Sequence, residues 1–532
     1  MKINPDPQLV IYNCKIYNQS AKETALVISD DKIVSMGADT EILSLADTQT
    51  RKVNGQGQWV LPALIDSHAH VVGYATRKLQ IDLSDCESIN EALRKVKIKV
   101  ESSPKEFWIT GGGWDKNRWG LTDFPNKHQL DEISTQHFIA LDSKDWHSLW
   151  VNSPVIEKCG INNSSESIKG GEIVRDVNGV PTGIFQENAR SLIFGNMPPP
   201  PLEKLKPALL KTFSEFHRFG ITAAHSMETP VDFSTYQELY FENNLGLRIF
   251  WYLPVKFLSN AEELKVQSGF GNSFLKICGV KLFADGALGS QSAEMLENYQ
   301  GLNHAGIGVL SQDELHELVG RCVFQKLPCA IHAIGDKANR KVLNTFGEFY
   351  SESQTAGLRH RIEHAQLLSA DDISKFQKYN ITASVQPIHL AADIQMVEKY
   401  WGERGRFAYP FASIAGSGAR LIFGSDTPIE SFDPWKGIYT ALQRKYLVDP
   451  KENSFYPEER IATNQAIQAY TSDSAWAVGE ENNLGSIEIG KQADLIMIDQ
   501  DIFSEPSEVI LETKVLLTIV AGKVVHQIVN YD

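Results

Sequence analysis

Eight short apolar runs, several of them separated by stretches of helical character, constrain this chain more than any other feature. They are the run ending at His68-Ala69-His70, then Ile221–His225, Leu247–Tyr252, Gly279–Phe283, Cys329–Ala333, Arg361–His364, Thr382–Gln386 and Leu421–Asp426. Leu205–Phe219 and Ala370–Lys378 are two of the helical stretches between them. Strands joined through helices pair in parallel, because a parallel return needs a connection of that length. Eight such units predict a TIM-like (β/α)8 barrel of the α/β class.

The chain has 532 residues, more than a single core usually serves, so further units are expected. Both ends are rich in short strands broken by Gly and Asp turns. Leu9-Val10-Ile11-Tyr12 and Ala25-Leu26-Val27-Ile28 stand at one end, and Leu495-Ile496-Met497-Ile498 and Val515–Val520 at the other. Short edge strands tend to be paired, so the two ends are expected to close one discontinuous β-sandwich. The reading assigns 1–61 plus 484–532 to that sandwich and 62–100 plus 200–483 to the barrel. Residues 101–199 become an insertion after the first barrel strand, covering the barrel mouth. Its Gly111–Gly113, Gly170-Gly171 and Pro198–Pro201 stretches read as loops and turns.

The formal net charge of −15 argues against nucleic acid or an anionic membrane as the main partner. No run approaches eighteen apolar residues, and the first residues carry no apolar leader, so neither a membrane span nor a secretory signal is expected. The six cysteines form no C-x-x-C pair and are too sparse for a disulfide scaffold. A cytoplasmic protein acting on a small molecule is the expectation; a homo-oligomer stays open.

The strand ends carry the chemistry. His68 and His70 lie two apart, so they project to one face of an extended strand. A lone His-x-His pair is more often one surface and one core histidine. Here, however, Lys281, His332, His364 and Asp426 stand at the ends of later strands, and in a barrel those ends converge on one mouth. Imidazoles and a carboxylate without a thiolate suit zinc and also manganese, iron or cobalt, in a catalytic rather than a closed structural site.

Those residues resemble the amidohydrolase superfamily. The resemblance rests on Asp66-Ser67-His68-Ala69-His70, Ile331-His332-Ala333, Arg361-Ile362-Glu363-His364 and Gly424-Ser425-Asp426. The C-terminal Leu484–Ile487 and Gly490–Leu495 stretches add to it. Lys281–Ser290, the long insertion and Asp145-x-His147-Ser148 are similar to the branch that contains the N-substituted formamide deformylases. One departure is Pro62-Ala63, where the family often has Pro-Gly.

The resemblance implies that His68, His70, His332, His364 and Asp426 hold one or two divalent ions, zinc first, with Asp426 also handling the proton. Lys281 falls where some members carry a carboxylated lysine that bridges two metals. A plain ammonium pairing Asp285, and a bridge supplied by Glu187 instead, both stay open. Asp66 reads as the carboxylate that orients a ligand imidazole through its other nitrogen. His225 reads as a hydrogen-bonded histidine of the site wall. Trp114, His147, Asp285 and His389 are the candidate substrate contacts. His304, like His389, falls in an expected loop, and the tryptophan cluster also suits a core.

The implied reaction is hydrolysis of a carbon–nitrogen amide-type bond, in an N-acyl or N-formyl amine, by a metal-activated water. The rivals are a one-metal deaminase of a cyclic amidine, with Lys281 unmodified, and a non-catalytic scaffold on the same fold.

Overall fold

The computed structural model describes residues 8–18, 22–116, 118–144, 148–166, 168, 171–445, 447 and 453–528. The chain forms two compact units, Met1–Val71 with Leu210–Asp532, and Val72–Leu209.

The first unit holds the barrel. Its strands are β1 (Leu64–Ala69), β2 (Ile221–Ser226), β3 (Arg248–Pro254), β4 (Leu275–Phe283), β5 (Cys329–Ala333), β6 (Arg361–His364), β7 (Thr382–Val385) and β8 (Leu421–Phe423). They lie side by side in chain order, each parallel to the next. Nearly every residue of these strands is buried, as expected where helices cover the outside of a parallel sheet. The eight expected strands are all present.

Residues just beyond β8 close the ring. The Asp426 N–H donates to the His68 carbonyl at 2.7 Å, and the His70 N–H to the Thr427 carbonyl at 2.9 Å. Gly424 permits this approach. A Cβ on it would lie 2.4 Å from the His68 nitrogen and 2.8 Å from the His68 Cβ.

The same unit contains the sandwich. One sheet is N-terminal: Leu9–Tyr12, Ala25–Ser29, Lys32–Gly37 and Arg51–Asn54. The other joins both ends, because Trp59–Pro62 pairs antiparallel with Leu495–Ile498. Ile11, Leu26, Val53, Val60, Leu495, Met497 and Ile519 share one core between the sheets. A buried Arg248–Asp494 ion pair ties β3 to this module, with nitrogen–oxygen distances of 2.7 and 2.8 Å.

The second unit corrects the expected insertion. It begins at Val72, not 101, and what read as loops is a six-stranded mixed sheet. The reason is local. Ile81–Asp82 pairs in parallel with Gly111 and Gly112, and Ile81, Leu83, Ala92 and Val96 pack in one core with Ile109, Trp114 and Trp150. The glycine run 111–113 therefore lies inside a strand, Trp108–Trp114. Gly111 is needed there because a Cβ would meet the Ile81 carbonyl at 2.8 Å. Among the described residues, no helix is long and apolar enough to cross a membrane.

Candidate metal centre

Asp426 is the centre of the barrel's C-terminal end. Its Oδ1 lies 3.4 Å from His68 Nε2 and 3.3 Å from His70 Nε2, and its Oδ2 lies 3.9 Å from His389 Nε2. Two sets, His68–His70–Asp426 and His364–His389–Asp426, each bring their ligating atoms within 4.8 Å of one another. The His68 and His364 rings are 5.1 Å apart, and those of His364 and His332 4.5 Å. Residues from β1, β5, β6 and the turn after β8 thus meet as expected. His364 and Asp426 both adopt left-handed backbone, with φ of 73° and 59°. For non-glycine residues that conformation is disfavoured and recurs at functional sites.

Three of these histidines have one ring nitrogen already assigned. His68 Nδ1 lies 2.6 Å from Glu363 Oε2, His364 Nδ1 2.7 Å from Gln386 Oε1, and His332 Nε2 3.0 Å from the Gly286 carbonyl. Each partner is an oxygen acceptor, so the proton sits on that nitrogen and the lone pair on the other. This is the pattern of metal-ligating histidines. Burial lowers the pKa of His68 and of His332 to about 4, with Lys281 adding to both. His364 is also lowered well below its ordinary value, by burial first and then by His332. Neutral imidazoles are what a cation requires. Burial works against the Asp426 anion, but His68, the His70 hydrogen bond and His364 outweigh it and hold its pKa well below the usual carboxylate range. For His70 burial is again outweighed: Asp426 and Glu228 raise its pKa.

Lys281 projects from β4 into the same buried region. It is 4% exposed, and its Nζ has no hydrogen-bond partner among the described residues. Burial is the chief cause that brings its pKa down to about 8. The alternative pairing with Asp285 is not formed among the described residues. Asp285 instead accepts the backbone N–H groups of Gly335, Glu294 and Ile334, at 2.8, 2.9 and 3.0 Å. Those three bonds tie the loops around His332 together through Asp285, whose Oδ1 also lies 3.6 Å from His332 Nε2.

Other expectations also shift. Among the described residues, Asp66 bonds to no imidazole. It accepts the backbone N–H groups of His68 and Ser425 at 3.1 and 3.0 Å, and the Ser425 hydroxyl, which ties β1 to the chain after β8. Glu363 does the orienting expected of Asp66. His389 lies not in a loop but on the helix Pro387–Tyr400, opened by proline at its first position, and faces Asp426. Its buried Nε2 has no hydrogen-bond partner among the described residues. His304 is exposed and accepts the Gly306 N–H within its own turn. Trp114 is 2% exposed in the core of the second unit and donates its indole N–H to the Leu141 carbonyl, so packing accounts for it. His147 lies outside the described residues, as does the side chain of Glu187.

His225 behaves as expected, accepting from Arg361 at 2.7 Å through Nδ1. Arg361 and Glu363 are functional neighbours that the sequence reading passed over. Two charged residues two apart on one face of a fully buried strand were the signal.

The donor set therefore fits a divalent cation. His68, His332 and His364 offer the ring nitrogen left free by the hydrogen bond of the other, His70 and His389 turn Nε2 toward Asp426, Asp426 supplies an anionic oxygen, and the buried Lys281 amine beside them has no hydrogen-bond partner among the described residues.

A family model for the amidohydrolase family matches residues 52–526. The protein LONG AFTER FAR-RED 3 of Arabidopsis thaliana is 31% identical over 515 residues, covering 94% of this chain and 88% of that one. An N-substituted formamide deformylase of Arthrobacter pascens is 24% identical and covers 97% of each chain. The crystal structure of an uncharacterized metal-dependent hydrolase from Pyrococcus furiosus superposes with a TM-score of 0.78 at 28% identity, covering 93% of this chain and all of that one.

Proposed function

This chain belongs to the amidohydrolase family, and from that membership we propose that it hydrolyses a carbon–nitrogen amide-type bond in an N-acyl or N-formyl amine. The formamide deformylase relative supports the choice of bond. One observation carries the reading: Asp426, a buried carboxylate held ionised, faces the Nε2 atoms of His68, His70 and His389 at 3.4, 3.3 and 3.9 Å.

We assign His68, His70, His332, His364 and Asp426 as holders of a divalent ion, zinc by the chemistry of the donors. Bound there, the ion would supply Lewis acidity to polarise the substrate carbonyl. Lys281 is our candidate for carboxylation: a buried amine with no acceptor among the described residues and a lowered pKa is partly unprotonated and nucleophilic toward CO2. Addition of the amine to CO2, with loss of one N–H proton to solvent, would give a carbamate whose single negative charge is shared by two oxygens that join the donor set. Asp426 accepts the proton of the attacking water. It then donates that proton to the departing nitrogen as the carbon–nitrogen bond breaks. His389 stands beside Asp426 as a contact for the substrate.

The test is Asp426→Asn, assayed with a panel of N-formyl and N-acyl amines together with metal content per chain. Turnover should fall by about 10²–10⁴-fold or more, since the amide cannot take the proton. Far-UV and near-UV circular dichroism should be unchanged. Turnover near that of the parent protein would overturn the role of Asp426.

A further inference from the structure

We infer that Arg361 selects the metal-binding tautomer of His68 by dictating which atom of Glu363 faces the imidazole. The inference rests on the reading of His68 as a metal holder. Arg361 and Glu363 are alternate residues of β6, so their side chains share one face, and both are fully buried. Arg361 Nε donates to Glu363 Oε1 at 2.5 Å, and Nη2 to Oε2 at 3.1 Å. The guanidinium is itself fixed from three sides: Nη1 donates to His225 Nδ1 at 2.7 Å, and Nη2 to the Ser384 hydroxyl at 2.6 Å and to the Ser67 carbonyl.

A guanidinium has only donors, so whatever faces it must accept. Glu363 meets that demand with both oxygens, and its Oε2 is shared with His68 Nδ1 at 2.6 Å. An ionised carboxylate offers no proton, so Nδ1 carries it. The lone pair is then on Nε2, the atom that lies 3.4 Å from Asp426 Oδ1. Arg361 thus acts through Glu363 as a positioning residue and touches no reacting atom.

The arrangement makes Glu363→Gln far from conservative. Beside Arg361 the amide must present its oxygen to Nε, which turns its NH2 toward His68. Nδ1 must then accept, and the proton moves to Nε2, where it blocks ligation. Removing the guanidinium as well frees the amide to rotate and present its oxygen to Nδ1. The double variant Arg361→Met/Glu363→Gln should therefore recover part of what Glu363→Gln loses. A purely structural role would make the double variant worse than either single one.

The experiment is Zn²⁺ affinity of the chelator-stripped full chain, by competition with a chromophoric chelator, with near-UV circular dichroism as the check on folding. Glu363→Gln is expected to bind Zn²⁺ about 10–100-fold more weakly than the parent protein, and the double variant more tightly than Glu363→Gln. Parent-like affinity in folded Glu363→Gln overturns the inference, and so does a double variant no tighter than Glu363→Gln. If either variant fails to fold, Ser384→Ala removes one of Arg361's anchors and little else. It should weaken Zn²⁺ severalfold, and an unchanged affinity overturns the inference. A parent protein that binds no Zn²⁺ refutes the metal centre itself, a separate outcome.

Discussion

Replacing Gly424 with alanine should damage the barrel at the point where its two ends meet. The added Cβ would stand 2.4 Å from the His68 nitrogen, 2.8 Å from the His68 Cβ and 3.0 Å from Asp66 Oδ1. Two of those atoms belong to backbone or to the Cβ of β1, so no side-chain rotation relieves the clash and the strands must part. Overpacking of this kind costs about 1–3 kcal/mol. Parting also endangers two hydrogen bonds, Asp426 N–H to the His68 carbonyl at 2.7 Å and Ser425 N–H to Asp66 at 3.0 Å. Each is worth about 0.5–1.5 kcal/mol. Loss of both would bring the total to about 2–6 kcal/mol. The assay is urea denaturation, with Zn²⁺ affinity measured in parallel because the same movement separates Asp426 from His68. Gly416→Ala is the control. That glycine ends the helix Phe411–Gly416, and a Cβ on it meets nothing within 4 Å. Its stability should stay within about 0.5 kcal/mol of the parent protein. If Gly424→Ala unfolds at the same urea concentration as Gly416→Ala, the argument from close approach is wrong.

Two further outcomes concern stability away from the metal centre. Arg248→Met leaves Asp494 without its bidentate partner in a buried setting, which should cost about 3–5 kcal/mol; a loss under about 1 kcal/mol in denaturant titration would refute it. His360 is fully buried between the Cys329 N–H and the Ser353 hydroxyl, and burial lowers its pKa to about 3. Below pH 6.5 the unfolded chain takes up a proton that the folded chain refuses until about pH 3, so stability falls as the pH falls through that window. The slope from this one group approaches about 1.4 kcal/mol per pH unit. His360→Gln should show a shallower loss between pH 6 and 4, and identical slopes would exclude His360 as the source.

Sequence alone determined the barrel, the sandwich shared by the two ends and most of the converging site. Strand and helix periods are local, and a parallel barrel gathers every strand's C-terminal end at one mouth whatever the spacing in the chain. His68, His70, His332, His364 and Asp426 could therefore be picked out one strand at a time. What that reading could not supply was the partner of each side chain. Asp66 sits two residues from His68 and was the natural candidate to orient it, yet its oxygens turn to the backbone of Ser425 and His68. The carboxylate that reaches the ring is Glu363, 295 positions away. Asp285 likewise spends its oxygens on three loop amides, and Trp114 its indole N–H on a carbonyl. Hydrogen bonds of this kind are chosen by distance and direction across strands, at the scale of an ångström. Only the tertiary structure sets those distances, and it is what placed an arginine behind the glutamate that holds His68.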